Sequence, residues 1–204
     1  SVHLSDIVIA QARTVEDLVL ALVEARPLYP PPQRRWRLPE PKFGTDIDLS
    51  HCKTLVDVLL EYAHRSPDRP HLHVQDHSGS EHLITYGQLY TRAEALAKGF
   101  ITMGLRPHET VAVMLPTSEE FFYVYFGILL AGGVPVPIYP PYRMDLIEEY
   151  IRRETKVLVN ADIRILVTFH QAENLIKILR TFIPNLKEVV TAGSLLAKGM
   201  NRDD

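Results

Sequence analysis

Four histidines crowd one short stretch, His71, His73, His77 and His82, with Asp76 among them. Imidazole and carboxylate are metal ligands, and His71 and His73 fall on one face of an extended strand because side chains alternate. The stretch lacks the fixed ligand spacing of a zinc site, and a solvated hairpin accounts for the same residues. Cys52 is the only cysteine. As a nucleophile it would need a base beside it, and a small buried residue explains it without one. Glu119-Glu120 and Glu148-Glu149 are adjacent acids. Neighbours on a helix point to different sides, so these pairs complement helix dipoles rather than form a catalytic dyad. Ala131-Gly132-Gly133 closes a helix, whereas a phosphate cradle needs a helix start, and neither G-x-G-x-x-G nor G-x-x-x-x-G-K-[ST] occurs. Asp46 and Asp48 carry no distinguishing context. Residue types alone therefore show no active site.

The elements that would position such groups are clearer. Apolar spacing predicts a helix over 54–65, with Leu55, Leu59, Tyr62 and Ala63 on one face. Two short strands, 71–76 and 81–84, flank the turn residues His77-Ser78-Gly79-Ser80. Thr85 and Gln88 form a capping box for a long helix that Gly104 closes. Strands over 110–115, 134–139, 163–168 and 186–191 then alternate with helices over 117–131, 145–151 onward and 172–183. Thr117 with Glu120, and Asp145 with Glu148, open the first two of those helices. Helices between sequential strands act as crossovers, so a mostly parallel sheet with helices on its faces is expected. The fold class is α/β, a Rossmann-like layered fold.

The first fifty residues differ. A short amphipathic helix over 14–25 precedes a proline-crowded stretch, 27–43, that reads as a semi-rigid connector. The expected organisation is a helical segment over 1–26, a proline-rich linker over 27–50, and one domain over 51–204. The 204 residues carry 46% hydrophobic and 23% charged residues, an ordinary globular composition. A formal net charge of −3 gives no electrostatic case for nucleic acid. Arg34-Arg35-Trp36-Arg37 sits in the connector and reads as a solvated run. A single cysteine rules out an internal disulfide and fits a cytoplasmic setting. No secretory leader is evident. Phe121–Ile138 is uncharged and long enough for a membrane span, but Gly132, Gly133, Pro135 and Pro137 break it, so a buried helix followed by a buried strand is expected.

Two segments carry a resemblance. Leu83-Ile84-Thr85-Tyr86-Gly87-Gln88-Leu89 resembles the first core motif, L-T-Y-x-E-L, of the adenylate-forming superfamily, with Gln88 in place of the usual Glu. Phe126 to Pro140 resembles the second, G-x-L-K-A-G-x-x-x-V-P-x-x-P, with Leu130 where Lys is frequent. Gly104-Leu105-Arg106-Pro107 and Val111 to Pro116 follow the superfamily's loop-and-strand pattern between them. Ile138-Tyr139-Pro140-Pro141 looks most like fatty acyl-AMP ligases. Upstream, Ala12 to Val19 resembles the last helix of an acyl carrier protein, without that protein's Asp-Ser-Leu.

The resemblance implies the N-terminal part of an ATP-dependent fatty acid–AMP ligase. Its scaffold motif residues here are Thr85, Tyr86, Leu89, Gly132, Gly133, Pro137, Tyr139 and Pro140. It implies ATP and Mg2+ for the full-length protein, none bound by this segment alone, and an acyl carrier protein or CoA as acceptor. The family's phosphate loop, its aromatic-Gly-x-Thr-Glu segment, its ribose-binding Asp and its catalytic Lys have no match in the chain, so no catalytic or metal residue is carried over. The expected partners are the remainder of the ligase chain and a fatty acid, with no transmembrane segment. Two alternatives stand beside this reading: a non-catalytic binding or scaffold domain of the same fold, and an amino-acid adenylation domain.

Overall fold

The computed structural model describes residues 12–24, 47–75, 81–141, 147–169 and 173–200. The chain divides into two compact units, residues 1–42 with 141–150, and residues 43–140 with 151–204. In the first, α1 (Val15–Glu24) is opened by a reciprocal cap. Asp17 N donates to Thr14 Oγ1 at 3.1 Å and Thr14 N donates to Asp17 Oδ2 at 2.8 Å. Most of the predicted connector lies outside the described residues.

The second unit begins with α2 (Leu55–Arg65), capped by Thr54. It leads into the antiparallel pair β1 (Pro70–Gln75) and β2 (Glu81–Thr85). The predicted turn between them lies outside the described residues. α3 (Tyr86–Thr102) starts on the expected capping box, Gln88 N donating to Thr85 Oγ1 at 3.3 Å and Thr85 N to Gln88 Oε1 at 3.0 Å. Satisfying two orphan amides at once fixes where the helix begins.

From there strand and helix alternate: β3 (Thr110–Met114), α4 (Glu119–Leu130), β4 (Val134–Pro137), α5 (Ile147–Asn160), β5 (Ile165–Thr168), α6 (Glu173–Phe182), β6 (Glu188–Val190) and α7 (Ala192–Met200). The four strands form a parallel sheet in the order β4-β3-β5-β6. The α/β architecture expected from the apolar spacing is the one observed. Phe121–Ile138 covers most of α4, which buries Val124, Gly127 and Ile128, and then β4, which is an edge strand with Val134 and Pro137 exposed and not the buried strand expected; among the described residues no helix is long and apolar enough to cross a membrane.

Two local expectations are corrected. The cap of α4 is Ser118, whose Oγ accepts from Phe121 N at 3.3 Å, and not Thr117. α7 was not expected at all. The predicted start of α5 at Asp145 lies outside the described residues.

Side-chain alternation sorts the sheet's two faces. Val111, Val113, Ile165 and Val167 pack into one core with Leu96 and Phe100 of α3, Val124 and Ile128 of α4, and Leu195 of α7. Ala112, Met114 and Leu166, each fully buried, point to the opposite face. A parallel sheet is covered on both sides. The buried residues of α5 and α6, Ile151, Leu158 and Leu179, are apolar surface suited to that second face. A smaller core, Leu59, Val74, Ile84 and Leu89, joins α2 and the hairpin to α3.

Candidate functional site

In the strand order, β4 lies on one side of β3 while β5 and β6 step away on the other, so the winding reverses between β3 and β5. Open parallel sheets bind ligands outside the carboxyl ends of the strands at such a reversal. A cleft of about 620 Å3 opens at this edge. The exit of β3, Pro116 to Glu120, and the start of α7, Ala192 and Gly193, flank the end of β5 and line it. Val74, Leu96, Tyr123 and Leu196 add an apolar wall.

The polar groups of the cleft gather on Glu119, in the first turn of α4. Glu119 Oε1 lies 3.3 Å from His82 Nδ1, and Tyr123 donates its hydroxyl to Glu119 Oε2 at 3.2 Å. Burial, then the Glu119 carboxylate, push the Tyr123 hydroxyl above its ordinary range. A hydroxyl held in its neutral form is a donor, so Tyr123 serves to orient Glu119. Arg92 of α3 also lines the cleft.

Cys52 does have a base beside it, one that the sequence reading did not pair with it. His51 Nε2 lies 3.8 Å from Cys52 Sγ and 3.0 Å from Glu61 Oε1. Thiol and carboxylate therefore meet the same ring nitrogen, whereas a relay needs one on each nitrogen. Partial burial, followed by the charges of Glu61, Asp57 and Asp48, pushes the thiol up from its usual range. The arrangement disfavours the thiolate, so it is not an activated nucleophile.

The histidine cluster disperses. His71 lies against Tyr86 with ring centroids 4.2 Å apart, and burial lowers its pKa. His73 is exposed and His82 turns to Glu119. His77 and Asp76 lie outside the described residues. Among the described residues no three His, Cys, Asp or Glu side chains are placed to hold a metal ion. Glu148 and Glu149 occupy the first turn of α5, as Glu119 and Glu120 do in α4.

The motif residues occupy structural positions. Tyr86 stacks on Tyr62 at 4.4 Å, and Leu89 is fully buried. Gly132 has φ +78°, a left-handed conformation that favours glycine. A Cβ on Gly133 would lie 3.0 Å from both Ile128 and Leu105. Pro137 ends β4, Tyr139 beyond it is exposed and Pro140 is buried. The hydroxyl of Thr168, at the end of β5, is buried without a partner.

A doubly wound sheet with a mainly apolar cleft at its carboxyl edge defines an α/β domain of the layered class whose members bind ligands at such an edge. Residues 59–201 match the AMP-binding enzyme family, and the chain belongs to that family, within the adenylate-forming superfamily. One similar structure comes from work on fatty acyl-adenylate ligases of E. coli and L. pneumophila. Its TM-score is 0.66 at 25% identity, over 74% of this chain and 27% of that one. The fatty acid AMP ligase from Legionella pneumophila gives 0.61 at 22% identity, covering 78% and 27%, a likeness of fold. Phosphinothricin tripeptide synthetase of Streptomyces viridochromogenes is 31% identical over 112 residues, 55% of this chain and 10% of that protein. The 2,3-dihydroxybenzoate-AMP ligase of Bacillus subtilis is 28% identical over 144 residues, 69% and 25%. The chain thus spans a quarter or less of these two curated relatives.

Proposed function

We propose that the whole protein is an ATP-dependent fatty acid–AMP ligase to which this chain contributes part of the N-terminal layered domain. The likeness to the fatty acyl-adenylate ligase structure at 25% identity carries this reading. The segment Ile138-Tyr139-Pro140-Pro141 points the same way. In the reaction, a carboxylate oxygen attacks the α-phosphorus of ATP and pyrophosphate leaves. A pantetheine thiol of a carrier protein or CoA then attacks the acyl carbon and AMP leaves. Mg2+ offsets phosphate charge in such reactions. The described residues do not fit that ion, since no carboxylate group is gathered for it. No step is assigned to a residue of this chain, and its expected part is to hold the sheet and its carboxyl-edge cleft.

The domain reading extends this: a carrier tail over 1–26, a linker over 27–50 and the AMP-binding domain from 51. α1 supports the first part, because its capped helix leaves Val15, Val19 and Val23 exposed along one side. A cytoplasmic setting suits the unpaired thiol of Cys52.

A second reading, amino-acid adenylation, is favoured by the 31% identity to a peptide synthetase. Hydroxylamine trapping with the full ligase chain separates the readings. Hydroxamate from fatty acids supports the first, hydroxamate from amino acids alone moves the protein to the second, and none from any acid leaves a scaffold. The isolated 204-residue segment is expected to show no ATP turnover.

A further inference from the structure

The carboxyl-edge cleft has a neighbour. A second, polar cleft of about 720 Å3 lies between the turn after α2 and the start of α3, lined by Pro67, Asp68, Thr85, Gln88 and Thr91. Arg92, Glu119 and Tyr123 line both clefts, and β2 borders both, His82 on the apolar one and Leu83 on the polar one. The partition between the clefts is therefore a set of side chains drawn from β2, α3 and α4.

The α4 side of this partition is fixed. Tyr123 donates its hydroxyl to Glu119 Oε2 at 3.2 Å from one turn further along the same helix, so the carboxylate keeps its direction without β2. The β2 side is held unevenly. Ile84 is buried in the small core with Leu59, Val74 and Leu89, and Thr85 caps α3. Beyond Val74 and its partner His82, the described ladder ends at Gln75 and Glu81, both exposed. His82 Nδ1, 3.3 Å from Glu119 Oε1, joins this loosely held end to α4. The imidazole is an ion-pair partner only when protonated. Histidine is the side chain whose charge changes between about pH 5 and 8.

We propose that the His82–Glu119 contact is a proton-operated gate between the two clefts. Protonated His82 holds the hairpin end against α4 and keeps the clefts apart, and neutral His82 lets them join. The other charged or titratable groups around the gate are Arg92 on α3, Glu120 and Tyr123 on α4, and Glu81 beside His82 on β2. α7 contributes only Ala192, Gly193 and Leu196. On β1, His73 pairs with Leu83 and so lies on the opposite face of the hairpin from His82, and His71 packs against Tyr86.

Amide hydrogen exchange on the full-length protein, corrected for the intrinsic effect of pH on exchange, tests it. The quantity read is the protection of Val74, Gln75 and Glu81 in the wild type relative to His82→Gln, a ratio that cancels the response of His71. The two side chains are 51% and 38% exposed, so water screens the pair. The ratio is expected to rise by roughly two- to fivefold from about pH 8 to about pH 6. His82→Lys carries its charge at both pH values and is expected to stay protected at both. An unchanging ratio overturns the proposal, and so does a His82→Lys variant as open as His82→Gln. Equal changes in the amides of β3 would assign the effect to global stability and count against the gate. Hydroxyl-radical labelling of Tyr123, which lines both clefts, reads the joining itself. It is expected to be greater at the higher pH in the wild type and independent of pH in His82→Lys. Protection that responds to pH while Tyr123 labelling does not would leave a contact without a gate and overturn the proposal.

Discussion

Gly199 of α7 meets Ala95 of α3 so closely that a Cβ on the glycine would lie 2.5 Å from the Ala95 carbonyl oxygen. One turn along α3, a Cβ on Gly99 would lie 2.3 Å from the Leu195 carbonyl oxygen. The two helices cross backbone on backbone, and Leu195 enters the core because they do. In an open helix Gly→Ala stabilises. Here the added methyl has no space, so Gly199→Ala and Gly99→Ala are each expected to destabilise the domain by about 1–3 kcal/mol. Gly193 in the same helix has open space around it. Gly193→Ala should therefore stabilise by up to ~1 kcal/mol. Opposite shifts in the urea midpoint check the pair, and a Gly199→Ala variant as stable as the wild type would refute the close crossing.

The shared nitrogen of His51 makes a kinetic prediction. Because burial and the acids around Cys52 disfavour its thiolate, alkylation by iodoacetamide near pH 8 should run well below the rate of free cysteine. Glu61→Gln removes the charge that acts most strongly on the thiol and should speed the reaction. Alkylation as fast as a free thiol would mean that His51 activates Cys52 after all.

These two cases also show what could be read beforehand. α3 was legible to its first residue because Thr85 and Gln88 write a reciprocal cap into the sequence, and α4 was legible because its apolar run is long. α7 was not. Gly193 and Gly199 weaken the helical pattern, and the reason for Gly199 lies in α3, about a hundred residues away in the chain. The expected strand over 163–168 starts at Ile163, ahead of the apolar run Ile165 to Val167. The ladder begins at Ile165, and Arg164 turns its side chain to Glu109 instead. The cleft was not legible either, since it joins the exits of β3 and β6 with the hairpin, and only the strand order brings them together.

His71 adds a pH dependence. Its folded-state pKa is lowered by burial against Tyr86. The unfolded chain takes up the proton first, at about pH 6.5. Stability from this group is thus complete above that pH and is lost as pH falls towards the lower folded value. Thermal melts between pH 7.5 and 5 should show the decline, and His71→Phe should flatten it. An unchanged profile in the variant would assign the decline to other histidines. The carboxylates held low, Asp57 first by the Lys53 amide and Asp48 first by the Ser50 hydroxyl, act in a separate window below about pH 4.

Glu109 and Arg164 form an ion pair between the residues that precede β3 and β5, at the amino edge of the sheet opposite the cleft. The Arg106 amide, donating to Glu109 at 2.9 Å, is the first cause of the lowered Glu109 pKa, and Arg164 adds to it. Side chains 24% and 38% exposed are screened by water. The pair should therefore be worth only ~0.5–1 kcal/mol in a double-mutant cycle of Glu109→Gln with Arg164→Met. The contribution is present above the unfolded carboxylate pKa and is lost as pH falls through the lower folded value. Added salt should shrink the coupling. Thr110→Val nearby removes the 2.6 Å hydrogen bond from its hydroxyl to Ala161 O. That bond is worth about 1 kcal/mol and should not respond to salt. If Glu109→Gln and Thr110→Val share one salt profile, the edge is held by hydrogen bonds alone and the ion pair contributes nothing.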